Sequence, residues 1–308
     1  MRSRFGLGTS EGRREARRGD PELRADDYRL LRDLVSERLG ISFASESRVS
    51  LERRLRGRLT ALGLASFSDY YQLLRYDPLA AAEWDEATEL LTTHETYFFR
   101  EDFQLRAFKD ELLPMLADRL KNRRRLLVWS AGCSTGEEAY TVAMLVLESG
   151  LFDGWDVHIR GSDVSKRCIA AARRGIYGQT SFRATPEDER RKWFVPVQRG
   201  EGERAAETFS VSPAARTLCH FGQMNMLDEE RTHLVGRYDV IFCRNVLIYF
   251  GESARRRVIE MFHERLNPGG VLLLGHAESL LNVSTAFELL HLKEDLVYRK
   301  PVTGLSSR

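Results

Sequence analysis

The sequence predicts an α/β protein, a mostly parallel β-sheet covered by helices on both faces and preceded by an all-helical domain. Three observations carry this. From about Arg24 to residue 115, apolar residues recur at three- and four-residue steps and nothing alternates like a strand. After Asn122, short apolar runs of strand length alternate with helical stretches, the rhythm of parallel strands joined by crossover helices. Residues 179–220 break that rhythm and read as a small antiparallel insertion, since a structureless loop of such length is uncommon.

The elements follow in order. Tyr28, Leu31, Leu34, Val35 and Leu39 share a helix face that Gly40 is placed to end, and Leu51, Leu55, Leu59 and Leu62 form a second stripe. Ser66 caps the start of a third helix, and Ala80–Leu91 reads as a fourth. Residues 125–129 form a short buried strand, followed by a glycine-containing turn and an apolar helix to Leu147. Residues 157–163 make a strand ending in an acid, with its helix over 165–173. Tyr238–Cys243 is a third clear strand, followed by a helix over 253–266. Asn267-Pro268-Gly269-Gly270 reads as a turn into a strand over 271–275, and Leu296–Arg299 is the last strand. Within the insertion, 187–192 is a charged helical piece, while 193–197 and Thr208–Val211 are strands. Ligands of such sheets bind beyond the carboxyl ends of the strands, so the turns at 130–136, 161–163 and 243–249 should share one edge.

Composition narrows the function classes. Hydrophobic residues at 43%, charged residues at 30% and a formal net charge of +2 over 308 residues describe an ordinary globular protein and imply no nucleic-acid partner. The four cysteines contain no C-x-x-C pair, which suits a reducing cytosol, and no Cys/His group has metal-ligand spacing, so no metal is expected. No apolar run could span a bilayer and no signal peptide is recognisable, so the expected location is cytoplasmic, without membrane insertion. Residues 1–22, rich in arginine, read as a disordered basic tail, and 302–308 as a C-terminal tail.

The turn lies within V-W-S-A-G-C-S-T-G-E-E-A-Y, residues 128–140. Gly132 to Gly136 matches G-x-S-x-G, which would make Ser134 a hydrolase nucleophile, with Asp239 and His276 in the right chain order for its partners. Glu137 and Glu138, in the next helical turn, oppose the negative charge that an oxyanion hole must stabilise. They oppose a pyrophosphate for the same reason. The acids could simply complement the helix dipole. They also suit a ligand without phosphate that carries positive charge, and Asp163 is placed for a pair of hydroxyls.

Four stretches carry a resemblance: Thr93-His94-Glu95-Thr96-Tyr97-Phe98-Phe99-Arg100-Glu101, residues 129–140, Gly161-Ser162-Asp163-Val164-Ser165, and Phe242-Cys243-Arg244-Asn245-Val246-Leu247-Ile248-Tyr249-Phe250. Together and in this order they resemble the CheR family, the chemotaxis-receptor glutamate methyltransferases of bacteria, over about residues 24–300. The resemblance implies a helical N-terminal domain with its linker (23–115) and a class I, Rossmann-like methyltransferase domain (116–301) carrying a small antiparallel β-subdomain at about 179–220. It implies S-adenosylmethionine as cofactor, leaving S-adenosylhomocysteine. Thr96 and Arg100 would reach it from the linker, Glu138 and Asp163 would bind its methionine and ribose parts, Asn225 and Met226 would flank the adenine, and Arg244 and Asn245 would follow a strand at its edge. His94 stands where the family usually has Asn; it can still donate or accept a hydrogen bond, and an altered pH dependence of cofactor binding is the expectation. A loop at residues 199–204 lies where some members bind a receptor's C-terminal pentapeptide. The family suggests a monomer.

Methyl transfer to a carboxylate is an in-line displacement, and an acceptor glutamate with a pKa of about 4.3 is already ionised at neutral pH. No general base is then required; alignment and desolvation remain. Arg100 can orient the anion and Tyr249 can donate a hydrogen bond to it, so these two are the expected catalytic residues. Surface pairing of Arg100 and a core position for Tyr249 are the plain alternatives. Arg53, Arg54, Arg56 and Arg58, joined by Arg48, give the second helix a basic face to dock the acidic methylation helices of the receptor cytoplasmic domain. A cofactor-holding signalling module without turnover is the alternative from another class.

Overall fold

A computed structural model describes residues 21–43, 48–78, 80–197 and 207–302. The tail over 1–20, the whole loop at 199–204 and residues 303–308 lie outside the described residues. Four helices form the N-terminal layer: α1 (Ala25–Leu39), α2 (Arg48–Leu62), α3 (Phe67–Tyr76) and α4 (Ala80–Leu91). Their leucine stripes converge with Trp84, Phe67 and Tyr70 on one buried cluster. Gly40 ends α1 in a left-handed conformation at φ 73° and donates to Ser36 O, as its position in the sequence predicts. Ser66 caps α3 by accepting from Asp69 N.

After a linker, α5 (Asp102–Ala107) runs through one π-helical turn at Phe108–Leu112 into α6 (Leu113–Leu120). The sequence reading grouped these residues, up to 115, with the helical domain. Leu105, Phe108, Leu112 and Leu116 instead pack beneath the large sheet with Val128, Val142 and Phe242. Their apolar spacing is helical in either location, so periodicity alone could not place them.

The large sheet is built from β1 (Arg125–Ala131), β2 (Asp156–Asp163), β6 (Cys219–Gln223), β7 (Tyr238–Cys243), β8 (Leu266–Leu274), β9 (Glu288–His291) and β10 (Leu296–Arg299), in the order β6-β2-β1-β7-β8-β10-β9. β6, β2, β1, β7 and β8 are parallel; β10 runs antiparallel to both β8 and β9. The chain leaves β1 first toward β2 and later returns to its other side with β7, so a switch point opens between β1 and β7 at their carboxyl ends. Helices α7 (Glu137–Ser149), α8 (Lys166–Arg174) and α10 (Pro213–Leu218) pack on one side, and α12 (Glu252–Arg265) packs on the other around the fully buried Trp129 and Phe262.

The insertion is a three-stranded antiparallel sheet of order β3-β5-β4, made of β3 (Ile176–Gly178), β4 (Phe194–Val197) and β5 (Thr208–Val211), with α9 (Glu187–Trp193) before β4. Its limits differ from the expected 179–220. The first strand begins at Ile176, and Cys219 and His220 belong to β6 of the large sheet. A second correction concerns Asn267-Pro268-Gly269-Gly270, expected as a turn, which lies inside β8; the β7–β8 register shifts between Tyr238 and Val240, and Gly269 takes φ 73° there. Helix α11 (Glu229–His233) completes the set. No described helix is long and apolar enough to cross a membrane.

Candidate cofactor and active site

A cavity open to solvent lies over the carboxyl ends of β1, β2 and β7 and is roofed by the N-terminal helices through Leu39, Ile41 and Leu91. All of the residues that the sequence named for a cofactor or for chemistry line it. His94, Thr96 and Arg100 come from the linker, Glu138 from α7 and Asp163 from the end of β2. Asn225 and Met226 follow β6, while Arg244, Asn245 and Tyr249 follow β7.

The turn after β1 is shaped by backbone that side chains resist. Gly132 sits at φ 77°, and a Cβ there would lie 2.6 Å from Val246 Cγ2. Ser134, at φ 48°, donates its N–H to Asp163 Oδ2 at 2.8 Å, and Ser165 N donates to Asp163 Oδ1 at 2.9 Å. Both oxygens are thereby fixed at the cavity wall, although burial pushes the carboxyl above its ordinary pKa. Ser134 Oγ donates to the carbonyl of His94 at 3.3 Å. Asp239 sits at the other end of β7, accepting from Asn267 Nδ2 and from Arg123, and His276 packs edge-on to Phe103. Among the described residues no imidazole nitrogen is hydrogen-bonded to Ser134 Oγ, and the two partners the hydrolase alternative needs, Asp239 and His276, are elsewhere, so that alternative falls.

The paired glutamates part company. Glu137 turns away from the cavity and accepts from Thr135 Oγ1 at 2.6 Å and Ser181 Oγ at 3.0 Å, joining the turn to the insertion. Glu138 faces the cavity and accepts from Ser130 Oγ at 2.7 Å. Burial raises the pKa of each; at Glu138 the nearby Arg244 opposes the rise.

Arg244 is buried with only 7% of its surface exposed, and it binds three groups. It donates to Arg100 O at 2.7 Å, to Glu101 Oε2 at 3.1 Å and to Glu138 Oε2 at 3.5 Å. Burial works to raise the Glu101 pKa, but Arg244 and the Asn245 amide outweigh it and hold the carboxyl below its ordinary value. Arg244 thus ties the linker to the β7 edge. Phe99 (φ 57°) and Glu101 (φ 56°) are left-handed there, a conformation that costs a non-glycine residue about 1–3 kcal/mol. The linker is held from its other side by Phe98, which stacks on Phe182 and donates its N–H to Ser181 O at 2.9 Å.

Sequence reasoning missed Glu278. Its Oε2 accepts from Asn245 N and Gly275 N, both at 2.8 Å, and its Oε1 from Val246 N at 2.9 Å and Ile248 N at 3.2 Å. This one carboxylate shapes the loop that carries Asn245 and Tyr249. The only hint in the sequence is an acid just after a buried strand on the ligand edge. Glu101 and Glu89 were missed as well; Glu89 accepts from Ser165 Oγ at 2.8 Å and Arg167 N at 3.1 Å, joining α4 to the start of α8.

Several named residues are already engaged. Asn225 donates to Arg38 O at 2.7 Å and accepts from Leu227 N at 3.0 Å. Arg100 donates to Glu95 O at 2.9 Å and forms a loose ion pair with Glu101 at 4.0 Å. Tyr249 is 39% exposed at the cavity rim rather than in the core. The basic face of α2 is thinner than expected. Arg58 makes a two-pronged contact with Glu83 at 2.9 and 2.6 Å, Arg56 pairs with Glu52, and Arg54 donates to Leu91 O at 3.0 Å. Arg53 is exposed and has no acidic partner among the described residues.

Two buried polar atoms at the site lack a partner among the described residues, Asn245 Oδ1 and Arg244 Nε. An acceptor beside carboxylates, with no cluster of unpaired cations, fits a ligand that carries positive charge and hydroxyls and lacks phosphate.

A family model described as the CheR methyltransferase SAM binding domain matches residues 94–296, and one described as the CheR methyltransferase all-alpha domain matches 26–92. Chemotaxis protein methyltransferase 2 of Vibrio cholerae is 33% identical over 281 residues, covering 91% of this chain and 94% of its own length. The chemotaxis protein methyltransferase of Vibrio parahaemolyticus is 32% identical, covering 89% and 96%. Chemotaxis protein methyltransferase 2 of Pseudomonas aeruginosa is 33% identical, covering 84% and 88%.

Proposed function

We propose, since this chain belongs to the CheR methyltransferase family and is an S-adenosylmethionine-dependent methyltransferase, that it esterifies glutamate side chains on the cytoplasmic methylation helices of chemotaxis receptors. The observation that carries this reading is the cavity at the β1/β7 switch point, where Glu138, Asp163 and the unpaired Asn245 oxygen meet Arg100 and Tyr249 at the mouth.

When bound, S-adenosylmethionine supplies an electrophilic methyl group on a sulfonium. In this reading Glu138 and Asn245 Oδ1 hold its cationic methionine end, Asp163 accepts from the ribose hydroxyls, and Asn225 and Met226 bound the adenine. His94 and Thr96 close the linker side. Arg244 acts by holding the linker, Glu138 and the β7 loop in register, because its paired N–H groups are spent on protein. The incoming glutamate needs no base, being ionised at neutral pH. Arg100 orients its carboxylate, and Tyr249, partly exposed at the rim, donates to the oxygen that does not attack. The roof of N-terminal helices covers part of the cavity, and a bound receptor helix would complete the exclusion of water that favours a near-attack geometry. Arg53, exposed and without an acidic partner among the described residues, steers the acidic receptor helix, with Arg54 beside it; Arg56 and Arg58 contribute less because their charge is met by Glu52 and Glu83.

The test is transfer of labelled methyl from S-adenosylmethionine to a receptor cytoplasmic fragment, followed by alkali. Volatile, alkali-released methanol is the expected result. Alkali-stable label would overturn the glutamate assignment, and cofactor binding without transfer to any receptor fragment would favour the non-catalytic module.

A further inference from the structure

The linker, the end of β2 and the first turn of α8 meet at a point that no local spacing in the sequence marks. One ligand atom each of His94, Asp163 and Cys168 lies within 4.8 Å of the others. Asp163 and Cys168 are buried and His94 is half-buried on the cavity wall. Glu89 brings a second carboxylate, with Oε2 3.9 Å from His94 Nε2. An imidazole nitrogen, a carboxylate and a cysteine sulfur, which burial holds as a thiol and which releases its proton to solvent on binding, form a donor set that suits Zn²⁺ among the first-row divalent ions.

We propose that His94, Asp163 and Cys168 form a labile Zn²⁺ site at the end of the cofactor cavity, and that Zn²⁺ and S-adenosylmethionine exclude one another there. The exclusion rests on the reading that Asp163 contacts the ribose; the metal site itself does not.

The geometry sets the character of the site. Zinc bonds of about 2.0–2.3 Å in a tetrahedron separate ligand atoms by roughly 3.5 Å. Separations of up to 4.8 Å must therefore close by at most about 1.3 Å. Asp163 cannot supply that movement, because Ser134 N and Ser165 N pin both of its oxygens. The closure falls to His94 and Cys168; among the described residues His94 Nε2 has Thr92 Oγ1 at 2.8 Å and Glu89 Oε2 at 3.9 Å as polar neighbours. The Cys168 sulfur has the Ser134 hydroxyl 3.9 Å away. Three protein ligands leave the fourth position to Glu89 or to solvent from the cavity, the arrangement of an exchangeable site rather than a closed structural one.

The test titrates the full, cofactor-free chain with Co²⁺ as a coloured stand-in and with Zn²⁺ as its competitor. The expected result is a saturable thiolate-to-Co²⁺ charge-transfer band that Zn²⁺ bleaches. Cys168→Ser should lose the band, and His94→Asn should bind more than about tenfold weaker, at least the loss that even outer-shell changes cause. In the unmutated chain, Zn²⁺ should protect Cys168 from alkylation as read by mass spectrometry, a measurement that does not depend on any variant folding. No band, a band unchanged in Cys168→Ser, or alkylation indifferent to Zn²⁺ would overturn the site. If the band persists in saturating S-adenosylhomocysteine, the metal site stands, and it is the shared use of Asp163 that is overturned.

Discussion

Replacing Glu278 by glutamine removes half of the acceptor that shapes the loop after β7. The carboxylate accepts four backbone N–H groups, from Asn245, Val246, Ile248 and Gly275, at 2.8–3.2 Å. A glutamine keeps one oxygen and turns an NH₂ toward the other two donors. Hydrogen bonds to a charged acceptor contribute about 1.5–3 kcal/mol each, and the exposed Ile248 end can recover water, so a loss of about 3 kcal/mol is expected. Shortening to Asp withdraws the group from all four donors and should cost at least as much. Two assays separate where the loss appears. Urea unfolding reads the global part. Calorimetric titration with S-adenosylhomocysteine reads the local part, expected at 10- to 100-fold weaker binding because each 1.4 kcal/mol is about tenfold. Amide exchange should accelerate at residues 245, 246, 248 and 275 before it does in the strands. An unfolding midpoint unchanged within about 0.5 kcal/mol, the range of neutral surface changes, together with unchanged affinity, would refute the assignment of loop geometry to this side chain.

Arg244→Met leaves the half-buried Glu101 and Glu138 without their cation, so a destabilisation of about 2–3 kcal/mol is expected, below the cost of a fully buried unpaired charge. Because Arg244 depresses the Glu101 pKa, that stability is present above the ordinary glutamate value and lost on acidification through the lowered one; the variant's stability should fall less steeply there, and parallel curves would contradict it. Glu138→Gln should behave in the opposite sense. Burial raises the Glu138 pKa, so between the ordinary and the raised value the unfolded chain has released a proton that the native chain keeps, and stability falls as pH rises. The glutamine variant should gain on the unmutated chain across that window while losing cofactor affinity; a constant stability difference would count against it. Arg53→Glu should raise the Michaelis constant for a receptor fragment and spare cofactor affinity, whereas Arg58→Glu should lower the melting temperature by expelling a partner of buried Glu83; identical behaviour of the two would remove the distinction drawn along α2.

The strands that the sequence disclosed are those whose residues are apolar and enclosed on both faces. β7 is buried at every position, and its run from Tyr238 to Cys243 admits no other reading. β6, C-H-F-G-Q, lies at the sheet edge with one fully buried residue, and its polar side chains give no period. β9, with no buried residue, was silent for the same reason. The start of β8 was masked by proline and two glycines, which there serve a register shift instead of a turn. At the site, the residues that face the cavity were legible because their motifs are contiguous. Glu278, Glu89 and Glu101 were not, because what they bind are a backbone N–H, a serine hydroxyl and a buried cation brought from 33, 76 and 143 positions away. The same separation hid the meeting of His94, Asp163 and Cys168.

The order β8-β10-β9 also sets a timetable for biogenesis. β9 leaves the ribosome before β10, yet β10 is its only neighbour in the sheet, so β9 waits without a pairing partner and β8 keeps an open edge until residues 296–299 have been made. A chain stalled between the two presents an unpaired sheet edge to its surroundings, a template for other chains. The final step of this sheet is therefore the threading of a late strand into a prepared slot, and chains halted before it should be the ones that chaperones hold.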